Sequence, residues 1–307
     1  MYSDIEASMG AKIESATILK SGWAGEIVSL KFAHDTQKYL VKTYGSSKNA
    51  LPSLKQEWAG LNFLDRAMYP VPKPILRNFE AACPYLLMEE IDGENLWTVY
   101  EKASSQDQQN LLSRFIGALF HLHALDCSIA GSQFAGKSTP DFIEEELCEI
   151  ERLAQENDIQ NLAPIVAWLR DRKNTVAAER PSILHRDYHP WNVLVDVNGQ
   201  IHVIDLVWGV GDYRFDLAWL CTLMERSGFQ DFSQAAWRKY QEYQQTQIQD
   251  FEYFKVLSTL RWLANVTVSL KTGESLNQSR SADADAFFLP LINRAVSWMN
   301  EITGGGE

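Results

Sequence analysis

The sequence predicts an α+β fold in two lobes: a small antiparallel β-sheet lobe with one helix, then a larger, mainly helical lobe. Three observations predict it. The first 90 or so residues hold apolar, β-branched runs broken by glycine, the pattern of strands. From about residue 94 onward, apolar residues recur mostly at helical spacing, the pattern of helices with one buried face. Between roughly 181 and 211 that spacing stops, and two short β-rich runs flank Asn198-Gly199, a strong short-range hairpin signal.

The elements follow in order. Residues 15–22, 25–34 and 38–45 read as strands, with His34 to Gln37 as the turn joining the last two. Leu54, Trp58, Leu61 and Leu64 set a helix from Leu54 to Ala67, with Ser53 as its N-cap. Val71-Pro72-Lys73-Pro74 breaks the pattern. Residues 84–91 form another strand, and Asp92-Gly93 is a turn. We set the domain boundary there: residues 1–92 form the N-terminal lobe, with a hinge at 88–93, and residues 93–307 form the C-terminal lobe.

In the second lobe, Ser104 or Ser105 caps a helix running to Leu125. Residues 139–158 carry eight Asp and Glu against one Arg, with Phe142, Leu147, Ile150 and Leu153 near helical spacing. A further helix spans 161–179, which makes 139–180 a helical insert. From Phe215 four helical stretches run to about Ile302, and the tail from Gly304 to Glu307 is expected to fray.

Composition narrows the function classes. The chain has 307 residues, 46% hydrophobic and 22% charged, which is globular rather than disordered. Its net charge of −12 argues against a nucleic-acid partner. Residues 1–92 hold 10 Lys and Arg against 11 Asp and Glu, and residues 93–307 hold 18 against 29. The acidic second lobe serves either solubility or a cationic substrate. Cys83, Cys127, Cys148 and Cys221 form no C-x-x-C pair, so we expect buried free thiols in a reducing compartment. The first residues lack the apolar run of a secretory signal, and no stretch approaches the roughly 20 apolar residues of a membrane span. A soluble cytoplasmic protein with no membrane partner is expected.

Residues 185–192 read His-Arg-Asp-Tyr-His-Pro-Trp-Asn, and Asp205 closes an apolar run thirteen residues after Asn192. Asn192 and Asp205 offer an amide oxygen and a carboxylate, the oxygen donors that a hard cation such as Mg²⁺ prefers. Asp187 on the same loop can accept a hydrogen bond from an attacking hydroxyl, or it can simply cap a turn. Lys42 lies inside a strand and needs an anionic partner. Glu57, on the helix that follows, either supplies it or faces solvent.

The H-x-D-x-x-x-x-N spacing, followed by a hairpin and Ile204-Asp205, resembles a kinase catalytic loop and its metal-binding aspartate. Gly211-Asp212 with Asp216-Leu217-Ala218 resembles the aminoglycoside phosphotransferase and choline kinase superfamily. The resemblance spans about residues 15–225. It implies a protein-kinase-like fold with ATP held between the lobes. It implies Asp187 as the catalytic aspartate and Asn192 and Asp205 as Mg²⁺ ligands. Lys42 would contact the α- and β-phosphates, with Glu57 as its ion-pair partner. Ser21, Gly22 and Gly25 would form a loop approaching the phosphates through backbone N–H groups. Glu89 and Ile91 would hold adenine through their backbones. His189 would either approach the γ-phosphate or pack against the loop, and Asp212 and Asp216 would stabilise that loop.

The activity so implied is ATP- and Mg²⁺-dependent transfer of a phosphoryl group to a hydroxyl of a small molecule. An amine-bearing acceptor, an aminoglycoside-like antibiotic or an amino alcohol, would be met by Asp141, Glu144, Glu145, Glu146 and Glu149 and by aromatic rings of the C-terminal helices. The same acids could instead face solvent. Arg186 in the loop is a protein-kinase feature, but no Ala-Pro-Glu segment follows Asp205, which disfavours a protein kinase. Trp191 stands where the superfamily commonly has glycine. A catalytically silent nucleotide-binding scaffold is the remaining alternative.

Overall fold

The structure is a computed structural model that describes residues 1–22, 25–44, 50–131, 137–160, 162–272 and 281–304. It divides into two compact units. One comprises Met1–Ala103 with Pro190–Trp208, the other Ser104–His189 with Gly209–Glu307.

The first unit begins with helix α1 (Tyr2–Met9), followed by β1 (Ile13–Gly22), β2 (Gly25–Phe32) and β3 (Lys38–Thr43). Helix α2 (Ala50–Arg66) leads to β4 (Pro74–Asn78) and β5 (Tyr85–Glu89). The strands make one antiparallel sheet in the order β1-β2-β3-β5-β4. Ile5 of α1 is fully buried among Val28, Leu30, Phe32, Val41, Tyr85 and Leu87. Asp4 of α1 accepts hydrogen bonds from Asn78 at 2.8 Å and from the Tyr85 hydroxyl at 2.5 Å. No helix was expected here, because eight residues with one buried apolar position show no period.

Helix α2 starts at Ala50, so Ser53 is not its N-cap. Ala50 is buried with Leu54, Glu57, Leu61 and Leu64, which extends the apolar stripe one turn earlier. Pro52 is tolerated because it lies in the first turn. The proline break ahead of residue 75 hides β4, an edge strand, where a missing N–H costs little.

The chain continues through β6 (Gly93–Asn95) and α3 (Leu96–Lys102), then α4 (Ser105–Ala124), α5 (Thr139–Glu156), α6 (Ala163–Arg172) and β7 (Ser182–Leu184). Strands β8 (Val193–Asp196) and β9 (Ile201–Val203) follow, then β10 (Gly209–Gly211) and helices α7 (Arg214–Arg226), α8 (Gln230–Gln244), α9 (Phe251–Thr272) and α10 (Ser281–Thr303). Contact density does not divide the chain at residue 93. Strand β6 pairs with β8, and β8 with β9, so residues 93–103 and 190–208 join the first unit. Pairing between segments about a hundred residues apart leaves no local signal.

In the second unit, α5, α6, α7, α9 and α10 share one core that includes Phe142, Ile150, Phe215, Leu257 and Leu260. Ser104 caps α4 by accepting from the Asp107 amide at 3.3 Å. Helix α6 ends at Arg172 rather than 179. Beyond it the Ala177 amide donates to Asp250 at 2.7 Å and the Glu179 amide to Thr139 at 3.1 Å, so that backbone is committed to side chains. All four cysteines are free, but Cys83 and Cys148 are exposed rather than buried. Among the described residues no helix is long and apolar enough to cross a membrane. Trp23, Ala24 and the tail Gly305–Glu307 lie outside the described residues.

Candidate active site

Lys42 lies in the middle of the five-stranded sheet, opposite Ile27 on β2 and Leu86 on β5. It is 9% exposed. Its Nζ donates to Glu57 Oε1 at 3.0 Å, to Glu57 Oε2 at 2.9 Å and to Asp205 Oδ1 at 3.0 Å. Burial alone would lower the Lys42 pKa; the charges of Glu57 and Asp205 outweigh it and hold the ammonium above its ordinary range. The Tyr44 hydroxyl donates to Glu57 Oε2, and burial, then the Glu57 charge, pushes that phenol upward. Glu57 is thus gripped from two sides. Tyr44 went unremarked in the sequence because a strand-end tyrosine reads as core.

The hairpin β8–β9 sets the other donors. Val193 pairs with Val203, and the Ile204 amide donates to the Asn192 carbonyl at 3.0 Å. Asn192, which is buried, therefore lies across the ladder from the residue before Asp205. Asp205 adopts a positive φ of 55°, uncommon for a residue with a side chain, and its side chain is about half exposed at 48%.

Lys42, Glu57 and Asp205 edge one cleft of about 540 Å³, counting space open to solvent. Ile27, Leu40 and Met88 line it from the large sheet, and Leu194 and Ile204 from the hairpin. Lys42, Glu57 and Asp205 form its charged end, and Glu89 and Ile91 line it near the end of β5. Glu90 between them is turned to the sheet: its amide donates to the Lys38 carbonyl at 3.0 Å and its carbonyl accepts from Gln37 at 3.2 Å. Ser21, Gly22 and Gly25 stand where β1 and β2 close, Ser21 paired with Glu26 and Gly22 with Gly25.

In the second unit, the loop after β7 carries Asp187. Asp216, fully buried on α7, accepts from the amides of His185 at 2.6 Å and Arg186 at 2.9 Å. It thereby holds the loop's backbone, including Arg186 at φ 70°. His123 Nε2 lies 3.3 Å from Asp216, with Nδ1 2.7 Å from the Tyr240 hydroxyl. The Asp187 amide donates to His185 Nδ1 at 3.2 Å. On the side chain, Trp219 Nε1 donates to Asp187 Oδ1 at 3.0 Å, and His189 Nε2 lies 3.4 Å from the same oxygen. Asp212 forms a fully buried pair with Arg214 and accepts from Thr139 at 2.8 Å. Gly211 packs so closely on Phe142 that a Cβ would sit 2.3 Å from the ring.

The acids of α5 are engaged within the unit. Asp141 bonds Ser138 in a capping box. Glu144 pairs with Arg170 and Lys173, Glu145 with Lys137, Glu146 with Arg186 and Arg261, and Glu149 with Arg152 and Arg261. The Lys173 contact holds Glu144 below the usual carboxylate range, and the Arg152 contact does the same for Glu149. Glu144, Glu146 and Glu149 are therefore met by bases from outside the segment.

A profile of the phosphotransferase enzyme family matches residues 15–252. The chain belongs to that family. It is a small-molecule phosphotransferase with the expected protein-kinase-like fold. No curated protein matches it. Among solved structures, the phosphotransferase is similar to a proposed aminoglycoside phosphotransferase from Ralstonia eutropha JMP134, with a TM-score of 0.74 at 15% identity, covering 97% of this chain and 98% of that one. It is similar to the streptomycin–ATP ternary complex of APH(2")-IIa, with a TM-score of 0.64 at 16% identity over 98% and 95% of the two chains. It is also similar to the macrolide 2'-phosphotransferase MphH from Brachybacterium faecium, with a TM-score of 0.60 at 16% identity over 92% and 96%. At these identities the likeness establishes the phosphotransferase's fold.

Proposed function

We propose that this enzyme transfers the γ-phosphoryl group of ATP, with Mg²⁺, to a hydroxyl of a small molecule. The observation that carries the reading is Lys42 held between Glu57 and Asp205 in a cleft whose other lining residues, Glu89 apart, are apolar. A nucleoside triphosphate has the same polarity: an apolar base at one end and concentrated charge at the other.

In this reading the base lies among Ile27, Leu40, Met88, Leu194 and Ile204. The Glu89 carbonyl and the Ile91 amide meet its edge, since the Glu90 backbone is committed to the sheet. Lys42 meets the α- and β-phosphates. The backbones of Ser21, Gly22 and Gly25, where β1 and β2 meet, supply amides to the phosphates.

The donors fit Mg²⁺. Asn192 and Asp205 are oxygen ligands, and no group of three or more His, Cys, Asp or Glu among the described residues forms a cation cage. Mg²⁺ is commonly held by one or two protein oxygens together with substrate phosphates. When bound, the ion would offset charge on the phosphates. Asp187 accepts the hydrogen bond of the acceptor hydroxyl and orients its oxygen for in-line attack. His189, whose Nε2 lies 3.4 Å from Asp187 Oδ1, either approaches the γ-phosphate or steadies Asp187 in this reading. The lobes of residues 1–92 and 93–307 are the functional halves in this reading, and a cytoplasmic location supplies the ATP.

An amine on the acceptor is supported by relatives whose structures contain gentamicin, streptomycin or spectinomycin. The acids of α5 lend it no support, because each has a partner inside the chain.

The test is a coupled ADP-release assay with Mg·ATP against aminoglycosides, macrolides, choline, ethanolamine, homoserine and sugars. Acceptor-stimulated ADP release that disappears in Asp187→Ala is expected. Unchanged turnover in Asp187→Ala would overturn the role of Asp187. Tight Mg·ATP binding with no turnover on any acceptor would favour a scaffold.

A further inference from the structure

Gln56 on α2 directly precedes Glu57, and Trp208 lies three residues after Asp205. These two residues exchange hydrogen bonds. Gln56 Nε2 donates to the Trp208 carbonyl at 2.7 Å, and Trp208 Nε1 donates to the Gln56 carbonyl at 2.5 Å. Each side chain therefore binds the other's main chain, which fixes the two backbones relative to one another. The indole is 8% exposed and covers Gly60, one turn further along α2. A Cβ at Gly60 would lie 2.3 Å from Trp208 Cδ1, 2.7 Å from its Nε1 and 2.8 Å from Leu206 Cδ2. The Phe63 ring, 6.3 Å away between centroids, flanks the indole. Glycine inside a helix weakens it relative to alanine. In α2 the missing side chain is the space in which the indole lies.

We propose that Trp208 is a positioning residue that pins the segment carrying Asp205 to the turn of α2 carrying Glu57. The inference rests on the proposal that Lys42 and Asp205 receive the nucleotide phosphates. Asp205 needs such support, since its backbone is left-handed and its side chain is half exposed. Upstream, the segment is held by the bond from Ile204 to Asn192. Downstream, buried Leu206 and the Trp208 clasp hold it, while Val207 between them is exposed. With both flanks fixed, Asp205 and Glu57 approach Lys42 from opposite elements at a set separation. Without the clasp, α2 and the Asp205 segment could drift apart. Sub-ångström to ångström misplacement of binding groups is enough to cost tenfold to a hundredfold in function.

The test is a double-mutant cycle with Gly60→Ala, Trp208→Ala and the pair, read in two ways. The first is the melting temperature of the nucleotide-free protein. Gly60→Ala is expected to lower it in the native background, where the methyl meets the indole. In the Trp208→Ala background the same change leaves it level or raises it. Additive melting temperatures overturn the clasp. The second reading is Mg·ATP affinity by isothermal titration calorimetry. Each single change is expected to weaken binding about tenfold or more, and the pair to be no weaker than Trp208→Ala alone. Singles that melt earlier yet bind Mg·ATP within twofold of the native protein reduce Trp208 to packing and overturn its positioning role. A native protein that binds no Mg·ATP overturns the ATP reading instead, and the thermal cycle then decides the clasp.

Discussion

Trp219 Nε1 on α7 donates to Asp187 Oδ1 at 3.0 Å, so the helix that steadies the loop's backbone through Asp216 also aims the loop's carboxylate. Asp216 and Trp219 are three apart, which puts them on one face of α7. Trp219 is 7% exposed, and a buried indole N–H ordinarily finds an acceptor.

Trp219→Phe keeps a ring in that place and removes the donor. A hydrogen bond to a charged group contributes about 1.5–3 kcal/mol. Loss of roughly tenfold to a hundredfold in kcat is therefore expected, with KM for Mg·ATP unchanged. Steady-state kinetics with a responsive acceptor checks this, and an unaltered kcat would show that Asp187 is oriented by other contacts.

Lys42→Met should destabilise the protein and weaken Mg·ATP binding. The change leaves Glu57 and Asp205 facing each other without their shared cation, and breaking a buried pair in this way costs about 3–5 kcal/mol. Folding raises the Lys42 pKa above its ordinary value of 10.5. Its pairing therefore stabilises fully below that value and fades only as pH rises through the higher folded value. Urea unfolding at two pH values below 10.5, one near neutral and one mildly alkaline, should give the same stability difference between native and variant proteins. A difference that shrinks markedly at the alkaline value would contradict the raised pKa.

Glu144→Gln and Glu146→Gln should part company. Glu144 is about one-third exposed, and its pairs with Arg170 and Lys173 lie near the surface, where ion pairs contribute up to about 1 kcal/mol. Glu146 is 3% exposed between Arg186 and Arg261. Neutralising it leaves the part-buried Arg186 guanidinium without its carboxylate and Arg261 with Glu149 alone, which costs more than the Glu144 change because Glu146 itself is buried, and disturbs the Asp187 loop through Arg186. Thermal melts order the two variants. A large rise in acceptor KM in Glu144→Gln alone would restore that acid as an amine-binding group.

Removal of divalent metal should stop ADP release, and added Mg²⁺ should restore it. Asn192→Ala should raise the Mg²⁺ concentration needed for half-maximal rate about tenfold or more. Metal-independent turnover would show that Asn192 and Asp205 do not act as metal ligands.

Ile5→Ala tests the small helix that the sequence concealed. The side chain is fully buried against the sheet, so its truncation should cost about 2–5 kcal/mol. A chemical denaturation midpoint unchanged from the native protein would mean that α1 contributes nothing to the sheet's stability.

Local patterns carry local elements, and those were readable. Apolar runs bounded by glycine and turn residues marked β1, β2, β3 and β5. Asn198-Gly199 marked the hairpin, and with it the approach of Asn192 toward Asp205. The loop spacing from His185 to Asn192 singled out the residues on which the function now rests. Other features depend on partners far along the chain. Gln56 and Trp208 are 152 residues apart, and neither differs in sequence from an ordinary surface amide and core ring. Glu144, Glu146 and Glu149 of α5 read as an exposed negative face, but in space Arg170, Lys173, Arg186 and Arg261 meet them.

By itself, then, the sequence determined the main strands and helices of each lobe, the family and the candidate residues, because propensity, period and motif spacing act over a few residues. Tertiary structure alone decided which charges cancel, which groups aim Asp187 and what ties Asp205 to α2. Those outcomes depend on distances of about 3 Å between segments remote in the chain, and such distances exist only once packing has brought the segments together.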